Sequence, residues 1–252
     1  MATAMPATGT RPRTAIRSVT EQPVIAAPSP NFGPRRGGAR PDMIVLHHTA
    51  MTSAEAALDR LCDAGAEVSA HYLIGERGRV WQLVDEDMRA WHAGAGQWGA
   101  VTDVNSRSIG IELANTGGHP YPAPQMAALE DLLAGLMRRW RIAPERVIGH
   151  SDMAPTRKFD PGPRFDWRGL ACQGLSVWPR AGSAPTVSAE AFLRDAATFG
   201  YRLHADVTPD DILRAFRTRF RPGLSGPLDP RDCGMIADLA RRFPVDRDTA
   251  TA

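Results

Sequence analysis

Gly149-His150-Ser151-Asp152-Met153-Ala154-Pro155-Thr156-Arg157-Lys158-Phe159-Asp160-Pro161-Gly162-Pro163 is the stretch around which the chain is organised. One loop gathers an imidazole, carboxylates and an ammonium between prolines and glycines, which hold a backbone in place without continuing a helix or strand. Lys158 is the only lysine among 30 basic residues. A lysine ammonium is a compact charge with a tunable pKa, whereas the arginine fork stays protonated. Its place two residues before Asp160 and eight after His150 marks it for chemistry.

Upstream of this loop, Val147-Ile148-Gly149-His150 reads as a short buried strand that ends in a histidine, and Met43-Ile44-Val45-Leu46-His47 has the same form. Two such strands can bring both imidazoles to one edge of a sheet, where the crevice at strand C-termini binds ligands. Ser108-Ile109-Gly110-Ile111-Glu112-Leu113 reads as a central strand with one carboxylate inside an apolar run. Such a carboxylate has to be paired, coordinated or protonated, so Glu112 is either structural with a partner or functional.

Around these strands the pattern predicts further elements. Thr52 and Glu55 form a capping-box pattern ahead of Ala57, Leu58, Leu61 and Cys62 at helical spacing. His71–Ile74 and Val80–Val84 flank a glycine-containing turn and read as two paired strands. Trp91-His92-Ala93-Gly94 leads into a Gly-rich loop with Trp98. Between Pro124 and Trp140, Met126, Leu129, Leu133, Leu136, Met137 and Trp140 make one apolar helical stripe. Past Asp160 come a turn of helix near Trp167 and a linker at 180–185. Three helical patterns follow: one from Ser188 to Phe199, one capped by Thr208 and Asp211, and one opened by Asp229 and Pro230. Together these give a flexible tail over residues 1–40, a domain over 41–182 and a small helical domain over 186–252. In the tail's last part, Phe32 is the residue expected to lie against the domain.

With 252 residues and 43% hydrophobic content the chain can bury a sizeable core. A net charge of +2, with arginines scattered along the chain, excludes nucleic acid as the expected partner. The three cysteines form no CxxC pair and fit a reducing compartment or plain packing. No apolar run long enough for a signal or a membrane span is visible, and no N-terminal cysteine for a lipid. A cytoplasmic protein is therefore expected, or a periplasmic or outer-membrane-associated one if translation starts elsewhere. A monomer is expected.

His47, His150 and Asp160 offer two imidazoles and a carboxylate, a set that leaves a fourth tetrahedral position on Zn²⁺ for water. In that arrangement Glu112 can take the water's proton and Lys158 can stabilise an oxyanion. No compact HExxH motif stands behind this reading, and core or surface histidines are its alternative.

The blocks Ile44–His47, Ser69–Ile74, Ala90–Gly94, Ser108–Leu113 and Gly149–Pro163 resemble, in order, the zinc-dependent type 2 N-acetylmuramoyl-L-alanine amidases. These are related to phage amidases and to peptidoglycan recognition proteins. The resemblance covers about residues 41 to 170. It implies an α/β fold with a mixed central sheet flanked by helices. It also implies cleavage of the amide between N-acetylmuramic acid, or its 1,6-anhydro form, and the L-Ala of a peptidoglycan stem peptide. By position, His47, His150 and Asp160 take the zinc-ligand roles, Glu112 the general base and Lys158 the transition-state stabiliser. Trp91, His92 and Asn115 fall where the family lines its substrate groove. Two departures stand out: His48 places a second imidazole beside the first ligand, where it can compete for the ion, and Ala114 leaves Glu112 as the only candidate base in its block. The C-terminal helices resemble a three-helix peptidoglycan-binding-like domain, with a helical cap on the amidase domain as the other reading. A recognition module that binds muropeptides without cutting them is the alternative function.

Overall fold

The computed structural model describes residues 23–180, 182–204 and 206–246. In chain order its strands are β1 (Ile25–Ala26), β2 (Phe32–Pro34), β3 (Met43–His48), β4 (Tyr72–Ile74), β5 (Val80–Gln82), β6 (Met88–Ala90), β7 (Ser108–Leu113) and β8 (Val147–Gly149). Its helices are α1 (Ala54–Cys62), α2 (Val104–Arg107), α3 (Ala123–Trp140), α4 (His150–Met153), α5 (Trp167–Cys172), α6 (Ala189–Phe199), α7 (Pro209–Phe220) and α8 (Pro230–Arg242).

Six strands form a mixed sheet in the order β1-β5-β4-β7-β3-β8, and β2 pairs with β6 in a separate ribbon. Strands β3, β7 and β8 run parallel, with His47 opposite Glu112 and Leu46 opposite Gly149. That register brings His47, Glu112 and the residue after β8, His150, to the same sheet edge. Strands β4 and β5 pair antiparallel, as expected, and Gly78 turns between them at φ +82°. A Cβ at Gly78 would meet the Pro124 carbonyl oxygen at 2.7 Å, so only glycine fits.

Successive side chains of a strand point to opposite faces, and both faces of β3 are covered. On one, Ile44 and Leu46 pack with Ile109, Ile111 and the fully buried Leu129, Leu133 and Leu136 of α3. Each such side chain contributes about 1.5–3 kcal/mol by leaving water. Gln125, itself fully buried, fastens the start of α3 by donating to the Ile74 and Ala114 carbonyls at 2.8 and 3.1 Å. On the other face, Met43, Val45 and Ile148 share a core with Phe199 of α6, Phe216 of α7 and Ile236 of α8. The helices expected as a small C-terminal domain thus complete a layer of the sheet. Thr208 with Asp211 caps α7 and Asp229 caps α8, as expected, while Ser188 caps α6 and Asp232 completes the capping box of α8. Helix α1 starts one residue later than expected. Ser53, not Thr52, is the cap, accepting from Ala56 N–H at 3.1 Å.

Of the expected tail over residues 1–40, residues 1–22 lie outside the described residues. Residues 23–40 are not a free tail: β1 pairs parallel with β5 at the edge of the sheet, and β2 pairs antiparallel with β6 in the separate ribbon. Apolar burial does not hold this segment, since Phe32 is 43% exposed. Polar groups do. Ser29 Oγ donates to the Leu61 carbonyl at 2.5 Å, and Asn31 Nδ2 donates to the Asp63 and Val68 carbonyls at 2.8 and 2.9 Å. Among the described residues no helix is long and apolar enough to cross a membrane.

Candidate metal centre

Three atoms meet at the edge where β3 and β8 end. His47 Nδ1 and His150 Nδ1 lie 2.9 Å apart, and each is 3.0 Å from Asp160 Oδ2. All three residues are buried. His47 arrives as the last inward side chain of β3 and His150 as the first residue of α4. Asp160, ten residues further on, returns because its carbonyl accepts from Ser151 N–H at 2.9 Å. Gly149 makes that return possible, since a Cβ there would meet Pro161 at 2.8 Å.

The hydrogen bonds around this triangle fix what its atoms are. The Ala93 carbonyl can only accept, so His150 Nε2, 2.9 Å away, carries the proton and its Nδ1 is a lone pair. The same logic reaches His47 through three steps. Ser108 Oγ donates to the Val104 carbonyl at 2.6 Å, so it accepts from His92 Nε2–H at 3.2 Å. His92 Nδ1 is then the acceptor for His47 Nε2–H at 3.0 Å. That leaves the His47 Nδ1 lone pair pointing inward. Two lone pairs and a carboxylate oxygen facing one point repel each other unless a cation joins them, so the donor set fits a divalent metal ion. Zinc bonds of about 2.0–2.1 Å would hold tetrahedral ligands roughly 3.3 Å apart, close to the spacing seen. Among the described residues, His47, His150 and Asp160 are the group able to hold an ion. Burial, with His150 adding to it, pulls the His47 pKa down to about 4, so its imidazole is neutral near pH 7.

Glu112 lies beside the triangle with its Oε2 buried and, among the described residues, without a hydrogen-bond partner. Burial and the nearby Asp160 charge push its pKa up to about 8, while Lys158 pulls the other way. A carboxyl in that state can exchange a proton near neutral pH. Lys158 shares with Glu112, His47, His150 and Asp160 the lining of one open cavity of about 380 Å³. Trp91 and His92 line it too, with Arg60, Val68 and Phe159.

Two other expectations are not met by the geometry. Asn115 stays out of the cavity lining, its amide bonded within its own loop: Oδ1 accepts from Gly117 N–H at 2.7 Å and Nδ2 donates to the His119 carbonyl at 3.3 Å. His48 does not compete for the ion, because the strand alternation sends it to the face opposite His47. There its ring packs on Gly117 and its Nδ1 lies 3.4 Å from the Pro161 carbonyl. Arg157, which the sequence did not single out, is a strut of the site. Its guanidinium donates to the Ala93 carbonyl at 2.5 Å and to the Ala95 carbonyl, tying the 91–95 segment to the Lys158 loop.

The N-acetylmuramoyl-L-alanine amidase family model, type 2, matches residues 37–163. The amidase AmiD of Escherichia coli is 37% identical over 234 residues, which is 81% of this chain and 84% of AmiD. The 1,6-anhydro-N-acetylmuramyl-L-alanine amidase AmpD of the same organism is 34% identical over 157 residues, 56% of this chain and 86% of AmpD. Among solved structures, AmiD from E. coli with the substrate anhydro-N-acetylmuramic acid-L-Ala-D-gamma-Glu-L-Lys superposes with a TM-score of 0.74 at 32% identity, covering 84% of this chain and 98% of that one. AmpDh3 from Pseudomonas aeruginosa, in complex with anhydromuramic pentapeptide, gives a TM-score of 0.74 at 28% identity, over 92% of this chain and all of the other. Fold and sequence agree over most of the chain, which belongs to the type 2 N-acetylmuramoyl-L-alanine amidases.

Proposed function

We propose that this amidase hydrolyses the amide between N-acetylmuramic acid, or its 1,6-anhydro form, and the L-Ala of a stem peptide, with Zn²⁺ held by His47, His150 and Asp160. The observation that carries this reading is the convergence of two imidazole lone pairs and one carboxylate oxygen within 3.0 Å, in an open groove beside Glu112, whose Oε2 has no hydrogen-bond partner among the described residues. Relatives solved with anhydromuropeptides support the substrate class.

When bound, zinc acidifies a water and polarises the scissile carbonyl. The protein's own residues do the rest. Glu112 takes the proton of the attacking water through its free Oε2 and delivers it to the departing amine, so a C–O bond forms as the C–N bond breaks. Lys158, a fixed positive charge on the cavity wall, offsets the negative charge that grows on the carbonyl oxygen. Trp91 and Phe159 offer the groove apolar surface for the sugar and peptide backbone. We read α6–α8 as a cap that holds the site loop, because Arg214 of α7 donates to the Pro155 carbonyl at 2.8 Å and stacks on Phe159.

The test is product analysis by mass spectrometry after incubation with a soluble anhydromuropeptide. Free stem peptide with a new L-Ala amino terminus is expected. Binding with no cleavage would overturn the reading in favour of a recognition module. Lys158→Met is expected to lower kcat by about 10²–10³-fold, the loss seen for one oxyanion donor. Because Lys158 holds the Glu112 pKa down, the same substitution moves the ascending limb of the pH–rate profile to higher pH. An unmoved limb would separate Lys158 from Glu112.

A further inference from the structure

We propose that the segment His92–Ala93 is the device that sets both ligand imidazoles in the Nε2–H tautomer and aims their Nδ1 lone pairs at one ion, with His92 as a positioning residue rather than a groove contact alone. This rests on the metal reading above.

The two histidines come from separate strands, yet their outward nitrogens are held by consecutive residues. His47 Nε2–H donates to the His92 ring at 3.0 Å, and His150 Nε2–H donates to the Ala93 carbonyl at 2.9 Å. A displacement of this segment therefore misaims both ligands at once. Its own position is secured from three sides. Asn105, buried in α2 just ahead of β7, accepts from both backbone N–H groups of the pair through one oxygen, at 3.1 and 2.8 Å. Arg157 holds the Ala93 carbonyl from the opposite side. Beneath the His92 ring lies Gly110, where a Cβ would meet ring atoms at 2.4–2.7 Å. Glycine inside an apolar strand marks a close approach, and here the approaching group is this imidazole. The ring's far nitrogen ends on Ser108 Oγ, whose hydroxyl proton is already committed to the Val104 carbonyl. The chain of donors thus has one direction. It runs from His47 to His92 to Ser108 to the backbone, and no member can reverse without breaking a bond to a carbonyl. Such outer contacts fix ring orientation, and losing one costs about 10–100-fold in metal affinity.

The test compares zinc affinity, by competition with a chromophoric chelator, for the full-length wild type, His92→Ala and His92→Gln. His92→Ala is expected to weaken zinc binding about 10–100-fold. His92→Gln is expected to restore most of it, because its amide can accept from His47 and donate to Ser108. Equal zinc affinity in the wild type and His92→Ala would overturn the inference and leave the proposed function standing. Absence of zinc binding by the wild type would instead sink the functional reading. The ¹⁵N spectra of histidine-labelled, metal-free wild type need no variant to fold. They should report a proton on Nε2 of both His47 and His150, and an Nε2 without its proton on either would overturn the proposal.

Discussion

Exchanging Glu112 for Gln is expected to lower kcat by about 10²–10⁴-fold, the range for removing a positioned general base. Zinc content should stay at the wild-type level, since Glu112 is not one of the three converging ligands. The same change should make the metal-free protein more stable, and the sign follows from linkage. Folded, Glu112 keeps its proton up to about pH 8, whereas in the unfolded chain it loses it near its ordinary value of 4.5. Between those values the folded state binds the extra proton, so stability falls as pH rises. At pH 7 the penalty is about 3 kcal/mol, and Gln, neutral in both states, does not bear it. Urea unfolding of chelator-treated protein should thus show the variant ahead at pH 7 and the two level at pH 4. A variant that is slower but no more stable would mean that Glu112 is already paired in the folded protein. The buried carboxyl is then a case of stability given up for chemistry.

Arg219→Met is expected to destabilise the protein by about 3–5 kcal/mol, measured by the urea midpoint. Arg219 of α7 and Asp152 of α4 form an ion pair at 2.7 Å with both side chains 1% exposed. Removing one partner leaves the other charge buried and uncompensated, which is what makes the loss large. Arg219 also lies over the Trp167 ring at 4.2 Å and donates to Ser176 Oγ and the Val147 carbonyl. Asp152, for its part, accepts from Tyr201 OH at 2.6 Å and from Gly149 N–H at 2.8 Å, next to the ligand His150. The pair therefore links the C-terminal helices to the start of the metal-binding loop. The double variant Arg219→Met with Asp152→Asn should recover much of the loss, because no bare charge remains. A loss under about 1 kcal/mol in the single variant would mean that water reaches Asp152 and that the helices do not brace the loop.

What could be seen in the sequence was local. Apolar runs closing on His47 and His150 gave both strands and the edge they share, and a Pro- and Gly-framed loop gave Asp160. Caps at Thr208 and Asp229 were legible because a cap is written within three residues. What escaped depends on distant partners. His47 and His48 are neighbours in sequence, and only the register of β3 decides which one faces the ion. Ser29 and Asn31 hold their segment through backbone carbonyls 32 to 37 residues away, a bond that no local pattern announces. Arg219 and Asp152 stand 67 residues apart, and each reads alone as an ordinary surface charge. Asn115 was carried over by position, but its amide bonds within the turn it stands in, away from the cavity lining. Gly110 was within reach of inspection: a glycine between Ile109 and Ile111 asks what approaches it, and the answer is His92.

The account stands on His47, His150 and Asp160 sharing a single ion. Equilibrium dialysis against zinc, with metal counted by atomic absorption, tests this most directly on the wild type and on Asp160→Ala. The prediction is one tightly held zinc per wild-type chain, and little or none on Asp160→Ala that still unfolds cooperatively. Full zinc occupancy in a folded Asp160→Ala protein, or a wild type that hydrolyses its substrate with no metal bound, would contradict it.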